Sequence, residues 1–181
     1  MAVTDSDLVL EDGTGLTTSN VYATRTDATT YHRLLGNDLW AEADENDQCV
    51  ALLRATAYVD QRWTFVSTTA EDTQALEFPR YSLYNKKGKD VSEEVPNEIF
   101  KATCEYALQV LGTGSVLIEL SPTPDQDDEF VTYKREKVGT LEEETRYASS
   151  RGVRVRRSYP KADRIVRNSG YVAGGVGGAI R

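Results

Sequence analysis

The sequence predicts a mainly α-helical protein, a small helical bundle with a β-hairpin or strand pair and an extended C-terminal arm. Three observations predict it. Between Pro96 and Leu111, the residues Ile99, Thr103, Ala107 and Leu111 recur every four positions beside Phe100, Cys104 and Leu108, a spacing that stacks them on one helical face. Between Asp44 and Trp63, the residues Cys49, Leu52, Leu53, Thr56, Val59 and Trp63 keep the same period and supply a matching face, widened by Val50, Ala57 and Tyr58. Charge is also divided: Arg146 to Arg181 holds nine basic residues against the acid Asp163, a net of +8, which leaves −16 on the rest of a chain whose total is −8. The expected organisation is an N-terminal arm over 1–20, a helical body over 21–120, an acidic loop and β-hairpin over 121–147, and a basic, glycine-rich arm over 148–181. The expected core comprises Leu52, Leu53, Val59, Trp63, Ile99, Phe100, Cys104, Leu108 and Leu111.

Residues 1–20 offer only the alternation Leu8-Val9-Leu10 before the turn signal Glu11-Asp12-Gly13-Thr14-Gly15, which reads as an arm or a short edge strand. Asp27 is placed to cap a helix through Thr29, Tyr31, Leu34 and Leu35 that Gly36-Asn37 ends. His32, the single histidine, reads as structural. The polar run Asp44-Glu45-Asn46-Asp47 opens the next helix, whose Arg54, Asp60, Gln61 and Arg62 are expected to face water or a neighbouring subunit. Pro79 forces an extended backbone on Gln74-Ala75-Leu76-Glu77-Phe78-Pro79-Arg80, and Tyr81 to Lys89 reads as a loop or small hairpin turning at Gly88. In the central helix Pro96 suits the first helical position, Glu98 complements the positive end, and Gly112-Thr113-Gly114 supplies the stop. Its half-dozen or so large apolar side chains, buried at about 1.5–3 kcal/mol each, make it the main contributor to the core.

Beyond it, Val116-Leu117-Ile118-Glu119-Leu120 prolongs the helix or forms a strand. Asp125-Gln126-Asp127-Asp128-Glu129 lacks the central glycine and distant glutamate of a calcium loop and reads as a solvated turn. Phe130 to Val138 and Thr140 to Tyr147 read as two strands turning at Gly139. Lys134, Arg135 and Lys137 against Glu142, Glu143 and Glu144 allow cross-strand or intersubunit ion pairs of a few tenths to about 1 kcal/mol each. A two-stranded ribbon alone is barely stable, so docking or oligomerisation is expected to support it. After Arg151-Gly152-Val153-Arg154-Val155-Arg156-Arg157 come Pro160, a short helix at Ala162 to Arg167, and Gly170, Gly174, Gly175, Gly177 and Gly178. This reads as an arm, flexible when free, whose removal from Arg151 onward leaves a folded body.

No apolar run approaches the ~20 residues that cross a bilayer, and the opening Met1-Ala2-Val3-Thr4-Asp5 has no signal-peptide pattern, so a soluble, cytoplasmically made protein without a membrane partner is expected. Cys49 and Cys104 are expected as free, buried thiols. With one histidine, no cysteine–histidine spacing and no Gly-x-Ser-x-Gly, the chain has little raw material for a nucleophilic or metal site. Gly112-Thr113-Gly114-Ser115 and the terminal glycines lack the lysine of a phosphate loop. The expectation is a non-enzyme with no cofactor and no metal. Two roles stay open: the basic arm docks on an acidic protein surface, including that of a neighbouring copy, or it binds single-stranded nucleic acid with Tyr147, Tyr159 or Tyr171 stacking on bases.

A further ordered set of motifs narrows this. Asn20-Val21-Tyr22 leads to the Tyr31 helix and Leu39-Trp40, followed by the run from Ala51 to Asp60, then Gln74 to Arg80 as Gln-x-Leu-x-aromatic-Pro-Arg. Gly88, Val95-Pro96, the run from Ala102 to Ala107, Lys134 to Gly139, and Ala162-Asp163-Arg164-Ile165-Val166 complete it. In this order they resemble a family of tailed-phage head-to-tail adaptor proteins, some of which are labelled DnaT-like single-stranded-DNA-binding proteins. The resemblance covers most of Asn20 to Arg167; the glycine-rich Gly170 to Arg181 runs past the family's usual stop. It implies a mostly helical homo-oligomer, a ring of roughly twelve copies, beneath the portal in the virion neck after assembly in the host cytoplasm. Such a ring binds the portal protein and the downstream neck or tail completion protein, and genomic DNA passes through it without sequence-specific binding. On this reading Arg151, Arg154, Arg156, Arg157, Lys161, Arg164, Arg167 and Tyr171 lie on the portal, and the acidic body lines the channel and repels phosphate.

Overall fold

Helix α4 (Asn97–Leu111) is buried on nearly every side, and the other helices are arranged around it. The structure is a computed structural model that describes residues 2–112, 117–120 and 158–173 together with two strands at 131–137 and 142–147. The predicted stripe is present in α4, and Ala102, Glu105, Tyr106 and Val110 extend burial around the remaining circumference. Two faces can therefore be used at once: α3 (Glu45–Arg62) packs on one and α5 (Pro160–Ser169) on another. Of the expected core, Leu52, Val59, Ile99, Cys104 and Leu111 are buried. Leu53, Trp63, Phe100 and Leu108 lie at its margin, half-buried against it. Both cysteines are free and buried.

The caps follow local chemistry, with two shifts. Thr24, and not Asp27, caps α1 (Arg25–Leu35): its Oγ1 accepts from the Asp27 N–H at 3.0 Å, because a capping oxygen must lie about three residues before the donor it satisfies. Asp27 is that third residue, and its carboxylate accepts from the Thr24 hydroxyl at 2.7 Å. Gly36, at φ +67°, closes α1 in the left-handed conformation. A short α2 (Asp38–Glu42) follows, and Asp44 caps α3 through the Asp47 N–H at 2.8 Å. Pro96 is the extended cap of α4 (φ −59°, ψ 142°) and not its first helical residue. Leu117 to Leu120 neither prolong α4 nor form a strand; the Ile118 N–H donates back to the Val110 carbonyl.

The N-terminal stretch is part of the body and not a free arm. Leu10 pairs with Val21 in a parallel bridge. The buried Glu11 carboxylate accepts from the backbone N–H groups of Gly13, Gly15 and Leu16 at 2.9–3.0 Å and from the Ser19 hydroxyl at 2.8 Å. Four donors offset the desolvation of that charge and set the Gly13–Leu16 turn.

The largest departure from expectation is at the C-terminal side. Residues 158–173 form no loose arm: Tyr159, Ala162, Asp163, Val166 and Tyr171 are all buried. Val172 bridges Phe65, while the Val66 N–H donates to the Tyr171 carbonyl and the Ala173 N–H to Thr64. Ala162, Val166 and Ser169 line one face at helical spacing against Lys161, Arg164 and Arg167, but their small side chains do not by themselves distinguish a core face from the inner side of a short surface helix. Tyrosines at either end complete the buried face.

Strands β1 (Val131–Lys137) and β2 (Glu142–Tyr147) form an antiparallel pair that is a compact unit by itself. Its register sets Arg135 opposite Glu144 and Lys137 opposite Glu142, whereas Lys134 stands opposite Thr145 and Glu136 opposite Glu143. The acidic loop 125–129, the Gly139 turn, the arginines 151–157 and the glycines 174–178 lie outside the described residues.

Ending the chain before Arg151 removes the buried Tyr159, Val166 and Tyr171, each worth about 1.5–3 kcal/mol, a sum comparable with the stability of a marginal domain, and it leaves Arg62 without Asp163. That truncation is expected to lose its cooperative thermal transition in circular dichroism, and one ending after Ala173 to keep it.

Candidate interaction surface

Helix α5 carries the predicted cations, and a buried polar cluster anchors it. Asp163 accepts from Arg62 Nη2 at 2.6 Å and from Tyr106 Oη at 2.6 Å, and the two charged side chains are each 3% exposed. Arg62 Nη1 donates to Tyr58 Oη at 2.8 Å, and its guanidinium lies 5.1 Å from the Trp63 ring and 5.5 Å from the Tyr58 ring. The rings of Tyr58, Tyr106 and Tyr159 meet edge-to-face at 4.9–5.9 Å. Arg62 is thus a core residue, contrary to its expected place on the surface. At the end of a helix an arginine reads as solvated, and its partner lies 101 residues away. Burial, reinforced by the bond to Asp163, pushes the Tyr106 hydroxyl well above the usual phenol range, and burial raises Tyr58 to about 12.

A second tie fastens α5 to α4 and α1. Buried Glu105 accepts from Tyr31 Oη and from Lys161 Nζ, both at 2.7 Å. The sequence gives neither Glu105 nor Asp163 a structural role in advance. The available signal was the isolation of each: a carboxylate between Cys104 and Tyr106 in an apolar helix, and the single acid of a basic segment.

Lys161, Arg164 and Arg167 are exposed at three-residue spacing on α5. Lys161 pairs with Glu105, and Arg167 lies 3.9 Å from Asp163 and 5.6 Å from the Trp63 ring. Arg164 makes no ion pair among the described residues. Beyond the helix, a Cβ added at Gly170 would lie 3.5 Å from Lys86 Cγ, so the 84–90 hairpin adjoins the C-terminal end of α5. Tyr171 is buried, its hydroxyl 3.3 Å from Glu98, and Tyr159 is buried beside Tyr58. Neither is available to stack on a base, which corrects that expectation for both and removes Tyr171 as a surface contact. The side chains of Arg151, Arg154, Arg156, Arg157 and Tyr147, and those of the six charged strand residues, lie outside the described ones.

The Gln74-to-Arg80 motif has a structural role. Arg80, 5% exposed, donates to the carbonyls of Val66, Glu77 and Ser67 at 2.6–2.8 Å and to Glu77 Oε2 at 2.6 Å. Asp60, expected to face water, is half-buried and accepts from Tyr22 Oη at 2.6 Å and the Glu77 N–H at 3.2 Å. Tyr22 Oη in turn accepts from the Phe78 N–H at 3.2 Å. Burial raises the Asp60 carboxyl to about 7. His32 stacks on Trp40 at 4.6 Å, and burial lowers it to about 4. Among the described residues no group of three His, Cys, Asp or Glu side chains is placed to hold a metal ion, and no helix is long and apolar enough to cross a membrane.

The pattern of one protein family, described as "Putative DnaT-like ssDNA binding protein", matches residues 6–181. No curated protein and no solved structure matches the chain.

Asp163→Ala leaves the Arg62 cation buried and uncompensated, so a loss of about 3–5 kcal/mol is expected in urea unfolding, with a smaller loss when Arg62→Met accompanies it. Asp60, ordinarily near 3.8, binds its proton more tightly in the folded state. Its contribution to stability is therefore present below about pH 4 and lost as the pH rises through about 7. Asp60→Asn is expected to flatten that fall, read as urea midpoints across the same range.

Proposed function

This chain belongs to the family of DnaT-like ssDNA-binding proteins, and we propose that within it the chain serves as a structural phage neck protein. Copies of it form a ring of roughly twelve that joins the portal to the next neck or tail component and continues the DNA channel. One observation supports this reading over base stacking: Tyr159 and Tyr171, two of the three tyrosines of the basic segment, are spent in the core, while the α5 cations face outward. They do so on a body with twenty acidic against nine basic residues over 1–120. That polarity suits docking of complementary protein faces without a large exposed apolar patch. The role is mechanical and uses no catalysis or cofactor. Arg151, Arg154, Arg156 and Arg157, with Lys161, Arg164 and Arg167, contact the portal, and the charged β1–β2 pair contacts a neighbouring copy. The protein then resides in the virion neck after a period in the host cytoplasm.

A second reading is single-stranded DNA binding, which the family's description favours more directly than the neck role. Its surface would be the α5 cations with Lys86 beside their end, tracking phosphates and not stacking bases.

Because residues 158–173 are core, the test replaces Arg151, Arg154, Arg156 and Arg157 with serine and keeps the full chain. The variant is expected to melt normally and fail to attach to DNA-filled, portal-bearing heads; normal attachment overturns the neck reading. Fluorescence anisotropy with labelled oligothymidine is expected to show no binding that falls steeply with salt. Such binding, lost on Arg164→Glu with Arg167→Glu, would establish the second reading instead.

A further inference from the structure

A cleft of about 710 Å³ opens on the body between the Gly13 turn and the 81–93 segment, lined by Glu71, Tyr81, Ser82, Tyr84, Asp90 and Glu93. Its two tyrosines are the most exposed aromatics among the described residues, at 68% and 56%. Among the described residues no lysine or arginine lines it. Nearby Lys89 is engaged by Glu94 at 2.9 Å, outside the lining. The Asp90 carboxylate is occupied by Ser92, whereas the carboxylates of Glu71 and Glu93 have no cation partner among the described residues.

The walls are held in place. Gly13, at φ +98°, lets its turn approach so closely that a Cβ there would lie 2.4 Å from the Glu93 carbonyl oxygen, and buried Glu11 fixes the same turn. On the opposite wall Ser82 sits at φ +50°, a left-handed conformation that costs a non-glycine residue energy and is retained between the two exposed tyrosines. Exposed aromatic faces flanked by unpaired carboxylates form a receptor for guanidinium groups, which stack on rings and donate paired hydrogen bonds to a carboxylate in the same place. Phosphate would be repelled by the same carboxylates. The chain itself contains the complement: Arg151-Gly152-Val153-Arg154-Val155-Arg156-Arg157 carries four arginines in seven residues and no acid.

We propose that this cleft seats the Arg151–Arg157 segment of a neighbouring copy, with arginines between Tyr81 and Tyr84 and paired to Glu71 and Glu93. The proposal rests on the ring reading for its choice of a neighbouring copy, and it moves Arg151, Arg154, Arg156 and Arg157 from the portal contact to the contact between copies, leaving Lys161, Arg164 and Arg167 of α5 for the portal. It gives the arginine segment a receptor on the adjacent subunit, so that ring closure and burial of this cleft are one event.

The test places the photo-crosslinking residue p-benzoylphenylalanine at Tyr81 in the full chain and mixes heavy-isotope and light copies at high concentration. Mass spectrometry is expected to find crosslinks from position 81 to 151–157 in mixed heavy–light pairs. Glu71→Lys with Glu93→Lys is expected to lower their yield about tenfold, and Arg154→Glu with Arg156→Glu on the other copy to restore it. Crosslinks confined to one copy, crosslinks only elsewhere, or indifference to the charge swap each overturn the proposal. Failure here with head attachment still dependent on the arginines leaves the neck reading standing. Mixed-copy crosslinks from a protein that does not attach to heads would keep the cleft and remove the neck.

Discussion

The buried pair of Arg62 and Asp163 is the constraint on which the rest of this molecule depends. It joins the last turn of α3 to the first turn of α5 across 101 residues, with Tyr106 of α4 as the shared third member. Removing two charges from water is expensive, and the cost is offset here by short hydrogen bonds and by rings packed on the guanidinium. Such a pair adds little net stability compared with an apolar substitute, but it is unforgiving: α5 cannot leave while Arg62 stays buried without stranding a cation. The three helices are thereby locked in a single arrangement.

That lock bears on function. Because α5 is held by its inner face through Ala162, Asp163 and Val166, its outer face is free to carry Lys161, Arg164 and Arg167. The arginines of 151–157 precede the anchored helix directly in the sequence, so one of their ends is tethered to the body. A tethered basic segment loses less conformational entropy on docking than a wholly free arm. The cost is aromatic: Tyr159 and Tyr171 serve the core and are lost to any ligand.

Elsewhere, polar side chains do work that regular structure does in the helices. Arg80 gathers three carbonyls, Glu11 gathers three N–H groups, and the Tyr22–Asp60 pair gathers two more. Long irregular segments between α3 and α4 can pack against the core because their backbone groups are satisfied this way. The same devices fix the walls of the Tyr81–Tyr84 cleft.

The amino-acid sequence by itself determined the elements whose physics is local. The four-residue recurrence of apolar side chains specified α3 and α4, Asp44 and Gly36 marked helix ends, and alternating β-formers marked the strand pair. It determined the mainly helical class for the same reason, since period and caps act within a few residues. Tertiary structure alone decided which charges are buried. Glu11, Arg62, Arg80, Glu105 and Asp163 are ordinary surface residues by type, and each enters the core only because partners distant in sequence or supplied by a turn meet it there. Whether 158–173 is arm or core was likewise decided in three dimensions. The spacing of Ala162, Ile165, Val166 and Ser169 marks one helical face, but those side chains gain burial only once Tyr106 and Arg62 stand opposite them, and a period within ten residues does not say what its face meets.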